Sequence, residues 1–286
     1  MIREGIPKKI WIFWYQGLDN APDLILKCVH SWKKRHARYD VFTLDKNSIR
    51  NYISIPTFIT TERKDISYQK YANFIRLKLL NKYGGIWIDA SIYCFSNLDK
   101  WLFNSELRRA GIFMFTNTND DRIVGNWLIA ATPNHYIIEK WLICYEAYFE
   151  NNYLNNTYTK NGKRMIRLLS RFFNQNTKTT QYWLSYVVRK ILKIYPYFIQ
   201  HYLFNQLYYQ DKKIKLIWNE VPMRYNCKIS LLCIKKTGGN FKSFLQQFSN
   251  KEIPLLKLSH RTDLNKPFYK PFVQFIDKDF QQLHKT

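Results

Sequence analysis

The stretch DISYQKYANFIRLKLLNKYGGIWIDASIYCFSNL, Asp65 to Leu98, decides the fold. Tyr71, Ala72, Ile75 and Leu79 recur at roughly 3.6-residue spacing and make one apolar helical stripe, with Lys70 and Lys78 turned elsewhere. Gly84-Gly85 stops that helix, because glycine takes the left-handed residue that closes one without steric cost. Ile86-Trp87-Ile88 then reads as a buried strand, and a strand fed directly by a helix is expected to have parallel neighbours. It ends on Asp89. In open α/β sheets ligands bind just past the carboxyl ends of strands. A carboxylate there, followed by Ala90-Ser91, suits a metal ion or a sugar hydroxyl. Asn73 and Arg76 are three apart and share one helix face. An amide and a cation next to a strand-end carboxylate suit an anionic sugar derivative.

Composition sets the limits around this block. The 286 residues are 46% hydrophobic and 17% aromatic, enough to fill a sizeable core. With 45 basic and 21 acidic residues the net charge is +24, which implies anionic partners: nucleotide diphosphates, nucleic acid or an acidic membrane surface. Cys28, Cys94, Cys144, Cys227 and Cys233 are odd in number and scattered, without a CxxC pair. They read as free thiols in a reducing compartment. MIREGIPKKIWIFW lacks the apolar run of a signal peptide, and no run of about 18 apolar residues is present to span a bilayer. The expectation is a cytoplasmic protein, at most peripheral at the inner face of the plasma membrane.

Outward from the block, Ile10-Trp11-Ile12-Phe13-Trp14 is a first buried strand, ended by Gln16-Gly17, where glycine allows close backbone approach to a ligand. Asn20 and Pro22 read as a helix start, and the helix runs to about His36. Tyr39–Leu44 is a second strand closed by Asp45, which either reaches a ribose hydroxyl or caps the turn after it. Asn97 caps a short helix, Gly111–Phe115 is a strand, and a long helix covers about His135–Phe149. Asn151–Lys163 reads as a loop, and Arg164–Tyr209 as helical and basic. There Trp183, Leu184, Val187, Ile191 and Ile194 fall at helical spacing, a face for an anionic bilayer or for the core. Ile214–Trp218, Ile229–Ile234 and Leu255–Leu258 look strand-like, and the tail after Phe275 looks peripheral.

A-N-F-I-R followed by L-x-x-K-Y-G-G-I-W-I-D-A-S resembles the sugar-binding block of the capsular polysaccharide synthesis proteins, within the wider group of glycosyltransferases with a DXD-type motif. The opening Ile-Pro-Lys and Trp14-x-Gln16-Gly17, and the V-F-T-L-D run ending at Asp45, are similar to that group as well. Here Asn73 stands where the family usually has Asp, and Ser91 where many members have the second Asp. The resemblance implies a GT-A-type, Rossmann-like α/β fold with a mixed sheet, helices on both faces and a helical, basic C-terminal elaboration. It implies one glycosyltransferase domain over residues 1–286, with a nucleotide-sugar core at 1–135 and an acceptor or membrane-proximal part at 136–286. It implies a nucleotide-diphosphate sugar donor and a glycan or lipid-linked oligosaccharide acceptor of capsule, exopolysaccharide or lipopolysaccharide type.

Residue by residue, the resemblance puts Trp14, Gln16, Gly17, Asn73, Arg76, Gly85, Asp89, Ser91 and Arg261 on the donor. Trp14 would stack on the base, or is plain core. Asn126, in the segment N-W-L-I-A-A, would contact sugar on the acceptor side, or simply turns the chain. Asp89 and Asn126 are the candidate catalytic residues. Asp89, Ser91 and His260 are the candidate ligands of a Mn²⁺ or Mg²⁺ ion, with His260-Arg261 similar to a C-terminal pair that holds metal and diphosphate. Ser91 offers a neutral hydroxyl in place of a carboxylate, which weakens the cation site. Asp99, Asp120 and Asp121 are further carboxylates, none marked out as base or nucleophile.

Two other classes fit less well. Nucleic-acid binding would cluster basic and stacking residues, and here the basic residues are spread, so no nucleic acid is expected. A hydrolase would show a carboxylate pair or a Ser/His/Asp order. The remaining rival is a catalytically degenerate protein that binds glycan or lipid-linked sugar.

Overall fold

The computed structural model describes residues 5–102, 110–116, 119–221, 255–258 and 270–285. They form an α/β protein with a mixed sheet, the class expected. Two compact units are built from interleaved segments: the first from Met1–Pro7, Ser48–Trp87 and Ser105–Tyr225, the second from Lys8–Asn47, Ile88–Asn104 and Asn226–Thr286.

In the second unit β1 (Lys9–Phe13) pairs in parallel with β2 (Asp40–Leu44), Lys9 facing Asp40 and Phe13 facing Leu44. Helix α1 (Asp23–Arg35) connects them and buries Ile25, Cys28, Val29 and Trp32. It starts two residues later than Asn20 suggested. Pro22 occupies the cap position, and the Asn20 amide donates back to the Gln16 carbonyl at 3.2 Å. The Trp32 indole donates to the Ile92 carbonyl at 2.8 Å, fixing α1 on β4 (Ile92–Cys94). β4 pairs antiparallel with β7 (Leu255–Lys257).

The stretch after Phe275 is not a loose tail. It lies in a helix, Lys270–Lys285. Asp279 accepts two bonds of 2.7 Å from Arg35 and one of 2.6 Å from Tyr93, and Asp277 pairs with Lys27 at 2.8 Å. Part of its polarity serves ion pairing with α1, while Lys278, Gln281 and Gln282 are exposed. Cys28 and Cys94 are buried and free, and burial pushes both thiols up, Cys94 to about 12.

The first unit is organised on α2 (Tyr68–Tyr83), capped by the Ser67 hydroxyl, which accepts from the Lys70 backbone N–H. Upstream, the fully buried Asp65 carboxylate accepts from Arg63 at 2.7 and 3.0 Å and from the Leu154 N–H at 2.8 Å. Arg63 also donates to the Phe149 carbonyl at the end of α3 (Tyr136–Glu150). α2 then meets Gly84, at φ 62° and ψ −154°, and β3 (Gly85–Asp89) begins. A Cβ on Gly84 would lie 2.7 Å from Pro133 and 2.8 Å from the Ala131 carbonyl, so glycine is required by torsion and by space. β3 runs through both units. In the first unit β6 (Val124–Ala131) pairs antiparallel with β5 (Ile112–Thr116).

Four expectations fail, one on contacts distant in sequence and three on local caps and winding. Lys70 does not face water. It is 2% exposed, its ammonium donates to the Tyr197 carbonyl, and it lies 5.2 Å from the Tyr195 ring centroid. Trp183 to Ile194 is not one helix. A 3-10 turn (Thr179–Leu184) gives way to extended Ser185 and then a π-helical turn (Val187–Leu192). The altered winding buries Trp183, Val188 and Ile194 and leaves Val187 and Ile191 outside. The loop read to Lys163 ends sooner, since α4 (Lys160–Phe173) starts at Lys160 behind a Thr159 cap. α5 (Ile199–Gln210) follows. Ile214–Trp218 is helical, not a strand, because Asp211 caps α6 (Lys212–Asn219) by accepting from the N–H groups of Lys213 and Ile214. Ile229–Ile234 lies outside the described residues.

Two measurements test this framework. Gly84→Ala should cost more than about 2 kcal/mol in urea unfolding, through a positive φ and a backbone clash together. A cost below about 0.5 kcal/mol would contradict the turn. Burial pushes the Lys70 ammonium down to about 7 from its usual 10.5. Between those values the unfolded chain binds more protons than the folded one, so Lys70 makes stability rise with pH across that window. Its share of the slope is at most about 1.4 kcal/mol per pH unit. Lys70→Met should lack that rise when both proteins are unfolded in urea from neutral to alkaline pH. Equal slopes would mean that Lys70 is charged in the folded protein.

Candidate functional site

In the second unit the chain turns after β3 so that Asp89 and Ser91 flank Ala90. The β4–β7 ladder sets Lys257 opposite Ile92 and brings its ammonium 3.6 Å from the Asp89 carboxylate. Both side chains are about 30% accessible, within reach of a ligand. Ser91 and Leu258 bond reciprocally: the Ser91 hydroxyl donates to the Leu258 carbonyl at 3.1 Å, and the Leu258 N–H donates to the Ser91 carbonyl at 3.0 Å. That exchange holds the Lys257 segment beside Asp89. His260 and Arg261 lie outside the described residues.

The ends of the parallel strands β1 and β2 form a second group in the same unit. The Trp14 N–H donates to the Leu44 carbonyl at 2.9 Å, and the Gly17 N–H to the Trp14 carbonyl at 3.0 Å. Gly17 has φ 83°, and a Cβ there would meet the Asp45 carboxylate at 3.4 Å. Asp45 accepts from the Asn47 N–H at 2.9 Å, the local turn role. Trp14 is half-buried and Gln16 exposed. A half-buried indole, a glycine with open backbone and a carboxylate thus share one end of the β1–β2 pair, the carboxyl ends of both strands.

The first unit holds the third group. Arg76 is 3% exposed and places its guanidinium 5.0 Å from the Trp87 ring centroid. Its Nη1 donates to Asn73 Oδ1 at 2.7 Å and to Gln200 Oε1 at 2.8 Å. Asn126, on β6, donates to the same Gln200 oxygen at 2.5 Å, while Gln200 Nε2 donates to the Asn73 carbonyl at 3.0 Å. Trp141 fixes α5 by donating to the Gln200 carbonyl at 2.8 Å. Arg76, Asn73 and Asn126 therefore converge on Gln200, a fully buried residue with no sequence signal of its own. Where the family usually has Asp, the Asn73 oxygen engages Arg76 as a neutral acceptor. Gly85, at φ 92° and buried, opens β3 below this cluster in sequence.

The other carboxylates are committed elsewhere. Asp99 accepts from Tyr39 at 2.7 Å and pairs with Lys8 at 3.3 Å. Burial alone would raise its carboxyl, yet these bonds hold it below its usual value. Asp121 pairs with Arg122 at 2.9 Å and accepts from Tyr202 at 2.7 Å. Asp120 is exposed.

Among the described residues no group of three or more His, Cys, Asp or Glu could hold a metal ion. Asp89 and Ser91 offer oxygen, the ligand atom hard cations prefer, but only one negative charge, and the Lys257 ammonium shares it. That is a weak donor set for Mn²⁺ or Mg²⁺.

Fold and residues together define an α/β protein of mixed sheet, with its candidate ligand groups at strand ends and on the helix before β3. The sequence profile of the capsular polysaccharide synthesis protein family matches residues 3–161, more than half of the chain, and the chain belongs to that family. It is similar to an O-glycosyltransferase, braB, of Annulohypoxylon truncatum, 27% identical over 152 residues, 47% of this chain and 36% of that protein. It is similar to an uncharacterized glycosyltransferase, L373, of Acanthamoeba polyphaga mimivirus, 25% identical over 181 residues, 61% of this chain and 68% of that protein. The chain thus spans about a third of the first relative's length. Among solved structures, the PaToxG glycosyltransferase aligns at a TM-score of 0.38 and 17% identity, over 72% of this chain and 86% of its own.

Gln200→Leu should destabilise the protein by roughly 2–4 kcal/mol, because it strips an acceptor from a buried guanidinium. Asn126→Ala, at the more accessible end, should cost less than about 1.5 kcal/mol. Urea unfolding of both variants checks this. Equal losses would mean that Arg76 does not depend on Gln200.

Proposed function

We propose that the protein is a glycosyltransferase that moves a sugar from a nucleotide-diphosphate donor to a growing glycan. The observation that carries this reading is Asp89, at the end of β3, held 3.6 Å from the Lys257 ammonium. Breaking the anomeric bond builds negative charge on the leaving diphosphate, and a fixed cation stabilises that charge. Lys257 supplies it in this reading. Asp89 orients a hydroxyl of the donor ribose or sugar. Trp14 stacks on the base, and Gln16, Gly17 and Asp45 bound the ribose. In the first unit, Asn73 and Asn126 offer amides to sugar oxygens, held in place by the buried Arg76 and Gln200.

Mn²⁺ or Mg²⁺ at Asp89 and Ser91, with His260, would add Lewis-acid charge neutralisation. Lys257 lets the reading stand without it. Family membership supports an acceptor of capsule type; an exopolysaccharide or lipopolysaccharide acceptor, hexosyl transfer and work in the cytoplasm at the inner face of the plasma membrane belong to the same proposal. No helix among the described residues is long and apolar enough to cross a membrane.

Calorimetric titration of UDP, GDP and CMP, each with and without Mn²⁺, tests the donor site. One nucleotide should bind. Lys257→Met should weaken that binding by roughly tenfold, the loss of one charge-assisted contact. Asp89→Asn should cut sugar transfer by roughly 100-fold or more. If no nucleotide binds, the transferase reading fails. If a nucleotide binds but no donor is consumed, the protein is a binder of glycan or lipid-linked sugar.

A further inference from the structure

Between residues 151 and 210 the chain carries nine Lys or Arg and not one Asp or Glu, although the whole chain has 21 acidic residues. This segment folds around a small core of its own: Trp183, Val188, Ile194 and Tyr202, with Met165, Ile166, Leu169 and Phe173 of α4 packed against it. α4 is wider in its apolar arc than that core can cover. Leu168 and Phe172, four apart on one edge of the helix, stay 49% and 59% exposed. Arg164 lies four residues before Leu168 and Arg171 three after it, both exposed, so cations border the uncovered edge. The turns that close the same core add Tyr182, Tyr186, Val187 and Ile191, each more than half exposed. Lys190 is exposed among them.

Large apolar side chains set singly on a surface need no explanation, but six around one small core do. Two constraints choose the occupant. The absence of acidic residues demands an anionic surface. The exposed leucine, phenylalanine and isoleucine demand one that takes up aliphatic and aromatic groups at low cost. Nucleic acid meets only the first. A bilayer with anionic headgroups meets both, since an amphipathic edge inserts at the headgroup–acyl boundary while its cations stay among the phosphates.

We propose that the outer face of α4 and of the Tyr182–Ile191 turns docks on an anionic lipid bilayer, with Leu168 and Phe172 inserted and Arg164 and Arg171 on the lipid phosphates. This contact rests on its own residues and not on the transferase reading.

Sedimentation of the full chain with vesicles tests it. The protein should bind phosphatidylglycerol–phosphatidylcholine vesicles and not phosphatidylcholine alone, and salt should weaken the binding. Replacing Arg164 and Arg171 together by serine should lower partition by roughly 25-fold, about fivefold for each charge. The double variant Leu168→Ser, Phe172→Ser should lower it by tenfold or more. Both pairs are exposed, so the variants should melt with the parent and titrate nucleotide as it does, which separates this outcome from any failure of the donor site. Absence of vesicle binding would overturn the proposal and leave an acidic macromolecule as the partner. So would anionic binding indifferent to Leu168 and Phe172, or equal binding to neutral vesicles.

Discussion

A guanidinium taken out of water must be surrounded by acceptors, and the first unit is arranged to meet that demand for Arg76. One of its nitrogens holds two amide oxygens at once, Asn73 on its own helix and Gln200 on α5. Gln200 answers with its own amide to the α2 backbone and accepts from β6. Three elements distant in sequence thereby share one bonded centre. Shifting any of them would leave a buried charge short of an acceptor, a far larger penalty than the loss of an ordinary contact. The neutral Asn73 accepts from the cation where a charged residue would neutralise it.

In the second unit the acidic and basic partners face each other directly, Asp89 to Lys257, within a short antiparallel ladder. In the proposed donor site a ligand phosphate would compete with the Asp89 carboxylate for the Lys257 ammonium.

What was legible in the sequence was local. The α2 period, the glycine stop and the β3 run lie within one stretch, and each is decided by neighbours a few residues away. The strands Asp40–Leu44 and Ile112–Thr116 were legible for the same reason. What was not legible is set by distant contacts. Gln200 is an ordinary glutamine until Arg76, 124 residues earlier, bonds to it. Lys257 stood in a noted run, but nothing local said that its ammonium would reach Asp89. Lys70 has the polarity of a surface residue and is instead enclosed by Tyr195 and Tyr197. Trp183–Ile194 has helical spacing, yet spacing presumes continuous winding, and Ser185 interrupts it. Ile214–Trp218 is a short, mostly apolar run that looks strand-like, and the Asp211 cap turns it into a helix.

The clamp between Arg35 and Asp279 also orders events in time. Its two ends are 244 residues apart, and Lys27 to Asp277 spans 250. During synthesis α1 exists long before its partner leaves the ribosome, an interval of roughly 12 to 50 s at ordinary elongation rates. Through that interval the carbonyl of Ile92 can already receive Trp32, Asp23 can already pair with Lys27 and the Phe95 carbonyl can already accept from Arg35, but the bonds to Asp277 and Asp279 must wait. The first unit, whose described segments are complete by residue 221, can settle while the second is still open.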